Sequence, residues 1–347
     1  MPNPAGILRW VAVLAALVLA GAAQAQYAPT SPQQLVEQQQ QRSTVQPGNN
    51  APVWKEVRSG RPQFSSLPGR EPGVLIQSGG ETWRLIRNGP ITFYGGWLLI
   101  VIVVLIAAFY LVRGSIKVRD KPTGRLIERF SALDRVVHWS VAICFCVLAI
   151  TGLIILFGKY VLLPVIGYTL FAWLTALSKN LHNFIAPLFI VSLLATIVVF
   201  IRDNLPNASD VTWFAKAGGL FTSAHVPSGR FNGGEKGWFW VGVVILGIAM
   251  CVTGLIMLFP NFEQTRATMQ LANILHGIGA MLFIALGLGH IYMGTIGVEG
   301  AYETMRGGFV DESWAKEHHE LWYNDIKSGK IASKTDQSGV PQMQRQS

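Results

Sequence analysis

The chain has 347 residues, half of them hydrophobic and only 14% charged, with a formal net charge of +9. A soluble domain carries about a quarter charged residues, so this balance excludes a soluble globular enzyme and points to an integral membrane protein with several spans. In that class an excess of Lys and Arg reports topology and contact with anionic lipid; no basic segment is interleaved with aromatics for base stacking, so no nucleic-acid partner is expected.

Residues 1–25 combine Arg9, an apolar core from Trp10 to Ala20 and the small-residue site Ala23-Gln24-Ala25. That is the pattern of a secretory signal peptide cleaved before Gln26; the alternative is an uncleaved anchor, for which the core is short. Residues 26–90 are expected to be a flexible exported linker. Its first part is rich in Gln, Pro, Ser and Gly and too poor in apolar residues to fold; its last part approaches the membrane with Trp83, Arg84 and Arg87.

Residues 91–112 read as an extra N-terminal span. Residues 113–135 hold seven Lys or Arg against three acids, which the positive-inside rule places in the cytoplasm. A signal peptide, by exporting residue 26, gives the same orientation independently. Residues 136–157 form the second span. Residues 160–177 are apolar enough to pass for a span, yet Pro164, Gly167 and the Tyr and Trp content suit an interfacial helix. A span there would put the basic C-terminal tail outside. The third span is 181–201, relaxed near Pro187. A Gly-rich cytoplasmic loop, 202–236, leads to the fourth span, 237–259, and then to the fifth, 271–297. Residues 301–347 form a cytoplasmic tail, disordered from about Ser328.

Cys144, Cys146 and Cys251 lie in apolar runs, and there is no CxxCH or CxxC. Covalent haem and cysteine-held zinc or iron–sulfur are therefore not expected, and metal chemistry must rest on histidine. The fifth span carries His276 and His290, fourteen residues apart. At ~100° per residue they fall within about 40° of one face, and at ~1.5 Å per residue roughly 21 Å apart. Ionisable side chains inside a span are costly and are functional candidates. Topology sets two more beside them: His138 at the cytoplasmic end of the second span and His182 at the outer end of the third. Two outer and two inner histidines, each pair from two helices, match two six-coordinate b haems. The outer haem takes His182 with His276, the inner His138 with His290. The competing reading is a relay or packing role in a haem-free transporter.

An internal echo supports the outer pair. Thr151-Gly152-Leu153-Ile154 in the second span repeats as Thr253-Gly254-Leu255-Ile256 in the fourth, and each is followed by a helix with Leu-His, Leu181-His182 and Leu275-His276. Glycines at matching places let a flat ring approach the backbone; ordinary small-residue packing is the bland alternative. Arg129 and Arg135 serve either as partners of the inner haem's propionates or as topology anchors. His225, His318 and His319 are expected in solvent or facing a partner. The fold class expected is an all-α membrane protein, a four-helix transmembrane di-haem cytochrome b bundle (residues 113–300) with one extra N-terminal transmembrane helix.

Asp134-Arg135-Val136-Val137-His138-Trp139, Leu181-His182, Leu275-His276, His290-Ile291-Tyr292-Met293 and Lys316-Glu317-His318-His319 resemble the cytochrome b (gamma) subunit of membrane-bound respiratory formate dehydrogenases. The wider family includes cytochrome b subunits of nickel–iron hydrogenases and thiosulfate reductases. The resemblance runs from about Arg129 to Lys327. It implies the haem pairing just described and a quinone site, for menaquinone or ubiquinone, beside the inner haem, with Asn232 and Gly234 lining it and His290 as neighbour. Glu235 stands where a member of that family has glutamine; a carboxylate there either delivers a proton to reduced quinone or faces water.

The function this implies is a membrane anchor and electron-transfer subunit in a bacterial inner membrane, with no catalytic residue for formate of its own. Electrons arrive outside from an iron–sulfur beta subunit that serves a molybdenum or tungsten alpha subunit. They reach quinone near the cytoplasmic face through the two haems. The rivals are a hydrogenase cytochrome b and a haem-free transporter or scaffold.

Overall fold

Each long apolar run becomes a helix, because in a lipid environment a helix satisfies its own backbone polar groups. The computed structural model describes residues 37, 54–55, 58–59, 63–64, 74–76, 79–219, 226–260, 262, 264–332 and 335–336. The expected signal peptide, most of the linker, His225 and the end of the tail lie outside the described residues. Among these residues five helices are long and apolar enough to cross a membrane: α1 Gly79–Arg113, α2 Ala132–Val161, α3 Leu163–Phe200, α5 Gly233–Leu258 and α6 Arg266–Gly297. The chain is a multi-pass membrane protein. Between α3 and α5 lies a short α4, Ala208–Ala215; after α6 come α7 Ala301–Gly307, α8 Glu312–His318 and α9 Glu320–Lys327.

The helices differ from the expected spans at two places. α1 starts at Gly79 and widens to a π turn at Arg87–Ile91, which accommodates Pro90 and its missing N–H. The separate interfacial helix expected at 160–177 does not form. α3 runs from Leu163 to Phe200 with its one non-helical residue at Gly167, φ 74° and ψ 172°. Beyond Gly167 no glycine interrupts the run, and Pro187 removes only a single backbone donor, so the helix continues through it. The count of five spans is unchanged.

The described chain divides into two compact units. The first takes its described helical parts from Met1–Trp97, Thr151–Asn180 and Val252–Ile278. Here α1 is tied down by Trp83, whose Nε1 donates to Asn273 Oδ1 at 3.1 Å. Ile91 lies so near Gly277 that a Cβ there would stand 3.2 Å from its Cγ2. A two-stranded antiparallel pair, β1 Gln63–Phe64 with β2 Val74–Ile76, precedes the helices.

The second unit is Leu98–Ile150, Leu181–Cys251 and the described part of Gly279–Ser347. Its core gathers Cys144, Phe189, Leu193, Phe239, Val243 and Phe283, with Leu193 1% exposed. Small residues set the approach, as membrane helices require. A Cβ on Gly247 would come 2.9 Å from Leu193 Cδ1, and one on Gly287 would come 2.8 Å from Phe145 Cζ. A second, smaller core belongs to the tail: Ile127, Val310, Trp314, Ala315, Trp322 and Tyr323. It is framed by an antiparallel sheet in which β3, Leu126–Glu128, lies between β4, Phe309–Asp311, and β5, Thr335–Asp336.

Three helices of this unit begin with the same device. Ser131 N donates to Asp134 Oδ2 at 3.0 Å and Asp134 N to Ser131 Oγ at 3.2 Å at the start of α2. Asn207 and Asp210 form the reciprocal pair on α4, and Asn232 and Glu235 form it on α5. A carboxylate in a first turn also suits the helix dipole. Each acid holds a cation as well: Asp134 takes Arg230 at 2.7 Å, Asp210 takes Lys236 at 2.9 Å and Glu235 takes Arg129 at 3.0 Å.

Candidate functional site

In the second unit α2 and α6 bring His138 and His290 together, with ring centroids 6.2 Å apart and planes at 56°. Nδ1 of His138 is buried without a hydrogen-bond partner among the described residues. Two imidazoles bound to one metal, with metal–nitrogen bonds of about 2 Å, have ring centres roughly 6 Å apart. The spacing found is that of a bis-imidazole pair, whereas two directly hydrogen-bonded imidazoles need no such gap. His290 is covered on its flat side by Trp238, whose ring stacks on it at 4.8 Å and 11°.

In the first unit His276 Nδ1 lies 2.9 Å from Thr253 Oγ1, and a Cβ on Gly254 would stand 3.5 Å from the His276 ring. The repeated Thr-Gly of the sequence therefore has two parts here: a hydroxyl that holds one ring nitrogen, and a glycine that leaves the ring its space. Thr253 itself is a residue the sequence reading passed over. The Thr-Gly repeat is the sequence signal that marks it. His182 lies on α3, half-buried.

The residues on the polar side of the second unit are locked by charge. Arg129 and Arg230 clasp each other: Arg129 Nη2 donates to the Arg230 carbonyl at 2.9 Å, and Arg230 Nη2 to the Arg129 carbonyl at 2.7 Å. Arg129 Nη2 also reaches Glu235 Oε1 at 3.0 Å, while Glu235 Oε2 accepts from Asn232 N at 2.8 Å. Both carboxylate oxygens of Glu235 are thus occupied. Arg230 further binds Asp134 and Asp203. Arg135 donates through Nη1 to the Arg306 carbonyl at 2.9 Å, and its Nε is buried without a partner among the described residues. Gly234 packs on Trp213, where a Cβ would come 2.5 Å from Cη2. A polar cavity of about 490 Å³ adjoins this cluster, lined among others by Asp134, Asp203, Arg230, Lys236, Trp322 and Asp325.

His318 and His319 are not in solvent. His318 stacks on Trp314 at 4.7 Å and 4°. His319 is 1% exposed, with Nδ1 2.7 Å from the Gly229 carbonyl. The α8–α9 junction folds back onto residues 228–229 (Leu321 N donates to the Ser228 carbonyl at 3.0 Å), and this closes over both rings. Burial first, then the nearby Arg129 guanidinium, push the His319 imidazole down to about 3, with Glu235 pulling the other way. An unfolded imidazole takes its proton near pH 6.5. The stability that the neutral folded form supplies is therefore complete above about pH 6.5 and is lost as the pH falls from there toward 3. Thermal stability of the wild type is expected to fall between about pH 7 and about pH 5, and a His319→Gln variant to be less stable at pH 7 with a flatter slope. Parallel slopes in the two proteins count against this role for His319.

A family model described as prokaryotic cytochrome b561 matches residues 129–308, just over half of the chain, a stretch that includes His138, His182, His276 and His290. The chain belongs to the prokaryotic cytochrome b561 family. Among curated proteins it is 30% identical over 204 residues to the formate dehydrogenase cytochrome b556(fdo) subunit of Escherichia coli (strain K12), covering 58% of this chain and 93% of the relative. It is 29% identical over 230 residues to the nitrate-inducible formate dehydrogenase cytochrome b556(Fdn) subunit of the same organism, covering 62% and 99%. The formate dehydrogenase cytochrome b556 subunit of Haemophilus influenzae is 27% identical over 219 residues, covering 59% and 85%.

Membership implies haem b. Among the described residues no three His, Cys, Asp or Glu side chains cluster as a metal site, and a bis-imidazole haem does not ask for one, since the macrocycle brings the other ligands. The His138–His290 gap fits that group. The bond to Thr253 fits it too, because a ligating histidine ordinarily has its second nitrogen held. Replacing Thr253 with valine keeps the shape and removes the hydroxyl. If His276 holds haem, that haem is expected to leave about 10–100-fold more readily, read as transfer to apomyoglobin; transfer at the wild-type rate refutes the role.

Proposed function

We propose that the chain is the membrane anchor and electron-transfer subunit of a formate dehydrogenase complex in a bacterial cytoplasmic membrane. It holds two b haems and passes electrons to quinone. The observation that carries the haem assignment is the pair of rings, His138 and His290, set 6.2 Å apart on two different membrane helices. The formate partner is inferred from the names of the relatives, all three of them formate dehydrogenase subunits. The chain then works with an iron–sulfur subunit on its periplasmic side and a molybdenum or tungsten catalytic subunit beyond it, with the tail in the cytoplasm.

Bound haem supplies one-electron transfer; the chain supplies ligands, orientation and a dry sheath. His138 and His290 would hold the inner iron. His182 and His276 are assigned to the outer one, from their matched depth and the Thr-Gly…Leu-His echo. If His276 were to hold haem through Nε2, its Nδ1 would carry the proton and donate it to Thr253 Oγ1. Arg135, with a buried and unpaired Nε, is the better placed of the two arginines for a propionate, since Arg129 is given to Glu235. Asn232, Gly234 and Glu235 are assigned to the quinone site, where the capping box fixes the backbone at the start of α5. Glu235 gives up a proton there only by first loosening its bond to Arg129. The polar cavity offers water a way to this end of the bundle.

A reduced-minus-oxidised spectrum of the purified protein is expected to show split b-type bands, and formate is expected to reduce them in membranes that contain the whole complex. Absence of b-type bands rejects the cytochrome reading. Bands that respond to hydrogen and not to formate reassign the partner to a nickel–iron hydrogenase.

A further inference from the structure

Trp238 opens a nine-residue π-helical stretch, Trp238–Leu246, inside α5. Such stretches are rare, and they recur at functional sites. Its indole lies flat on the His290 imidazole, 4.8 Å between centroids and 11° between planes. Gly242 makes this possible, because a Cβ there would come 2.4 Å from the indole Cε3. The indole also packs against Phe283, with centroids 5.8 Å apart, and Phe283 is held by Phe145 at 4.8 Å.

Ligating histidines ordinarily have their second nitrogen hydrogen-bonded, which fixes the rotation of the ring about the metal–nitrogen bond. His276 has such a bond, to Thr253. Among the described residues no hydrogen bond holds His290, and the flat contact with Trp238 stands in its place.

We propose that Trp238 is a positioning residue for the inner haem: its indole sets the rotation of the His290 ring, and so the angle between the two axial imidazoles, 56° in this structure. The proposal rests on His138 and His290 being an axial pair. The angle between axial rings sets the splitting of the ferric iron's d orbitals, and with it the largest g value of the low-spin signal. The same contact covers one face of the ring, and burial of the ligand is one of the protein's means of setting a haem potential.

The test compares low-temperature EPR spectra and redox titrations of the full-length, haem-loaded protein with those of Trp238→Leu, Trp238→Phe, Gly242→Ala and His290→Ala. His290→Ala identifies the inner haem as the signal that disappears; if both signals survive it, the axial pairing itself fails, separately from the role of Trp238. Trp238→Leu is expected to keep both haems, to displace the largest g value and the midpoint potential of the inner signal, and to leave the outer signal in place. Trp238→Phe is expected to restore most of the wild-type position. A Trp238→Leu spectrum superimposable on wild type overturns the proposal, as does an equal displacement of both signals or a Trp238→Phe spectrum displaced as far as Trp238→Leu. If Trp238→Leu loses the inner haem outright, Gly242→Ala, which drives a methyl into the indole, decides: a displaced inner signal supports the proposal and an unmoved one overturns it.

Discussion

Replacing His290 with alanine is expected to halve the haem bound per chain and to abolish quinone reduction. Replacing His138 is expected to remove the same haem. The expectation follows from the 6.2 Å spacing of the two rings: if one iron lies between them, either ring alone leaves it five-coordinate in a site built for two imidazoles. The decisive comparison is between double variants. His138→Ala with His290→Ala removes no more haem than either single change, because both act on one group. His138→Ala with His276→Ala removes nearly all of it if, as proposed, those two belong to different groups. A pyridine haemochrome assay per mole of chain reads all of these. Unchanged haem content in His290→Ala, or a His138/His290 double variant that loses both haems, refutes the pairing.

The four histidines stand out in the sequence because the residues around them are so apolar. A group that is costly in lipid stands out against twenty residues of Leu, Ile, Val and Gly, and helix periodicity then gives its depth. The same reasoning located the five spans, since length and hydropathy decide them without tertiary detail. It missed the course of α3, where Pro164, Gly167 and the aromatic residues suggested an interfacial piece. Only Gly167 departs from helical angles; it kinks the chain near the start of α3, and the residues after it are helical through to Phe200, with no break before the span. It also missed the tail. Asp311 accepts from Thr123 and Gly124 nearly two hundred residues away, and β3 and β4 are only three residues each. Pairings so short and so distant leave no periodic trace, so His318 and His319 looked solvated when they are packed under tryptophans. The stack of Trp238 on His290 was invisible for a related reason: it depends on a π stretch, whose extra residue per turn moves a side chain off the face that helix periodicity assigns to it.

Breaking the Arg129–Glu235 pair is expected to destabilise the protein by about 3 kcal/mol. The Arg129 side chain is 4% exposed. Burial lowers its pKa, working against its charge, and Glu235 is the first group that opposes this. The guanidinium also lies over the rings of Phe130, at 4.8 Å, and Trp314, at 5.1 Å, contacts that help a desolvated cation but do not neutralise it. In Glu235→Ala the charge stays buried without its carboxylate, and the start of α5 loses its capping box as well, a further cost of about 1 kcal/mol. Glu235→Gln keeps an oxygen for Arg129 and most of the cap, so its loss should be clearly smaller. A paired change, Arg129→Met with Glu235→Gln, removes the unpaired charge and should recover much of the stability, because an apolar replacement for a buried ion pair is often close to neutral. Thermal unfolding of the detergent-solubilised proteins at one protein concentration ranks the four. The ordering expected is wild type, then the paired change and Glu235→Gln, with Glu235→Ala last by a wide margin. If Glu235→Ala unfolds with the wild type, Glu235 is not what keeps Arg129 buried, and the carboxylate is then free to be read as a group that moves protons at the quinone site.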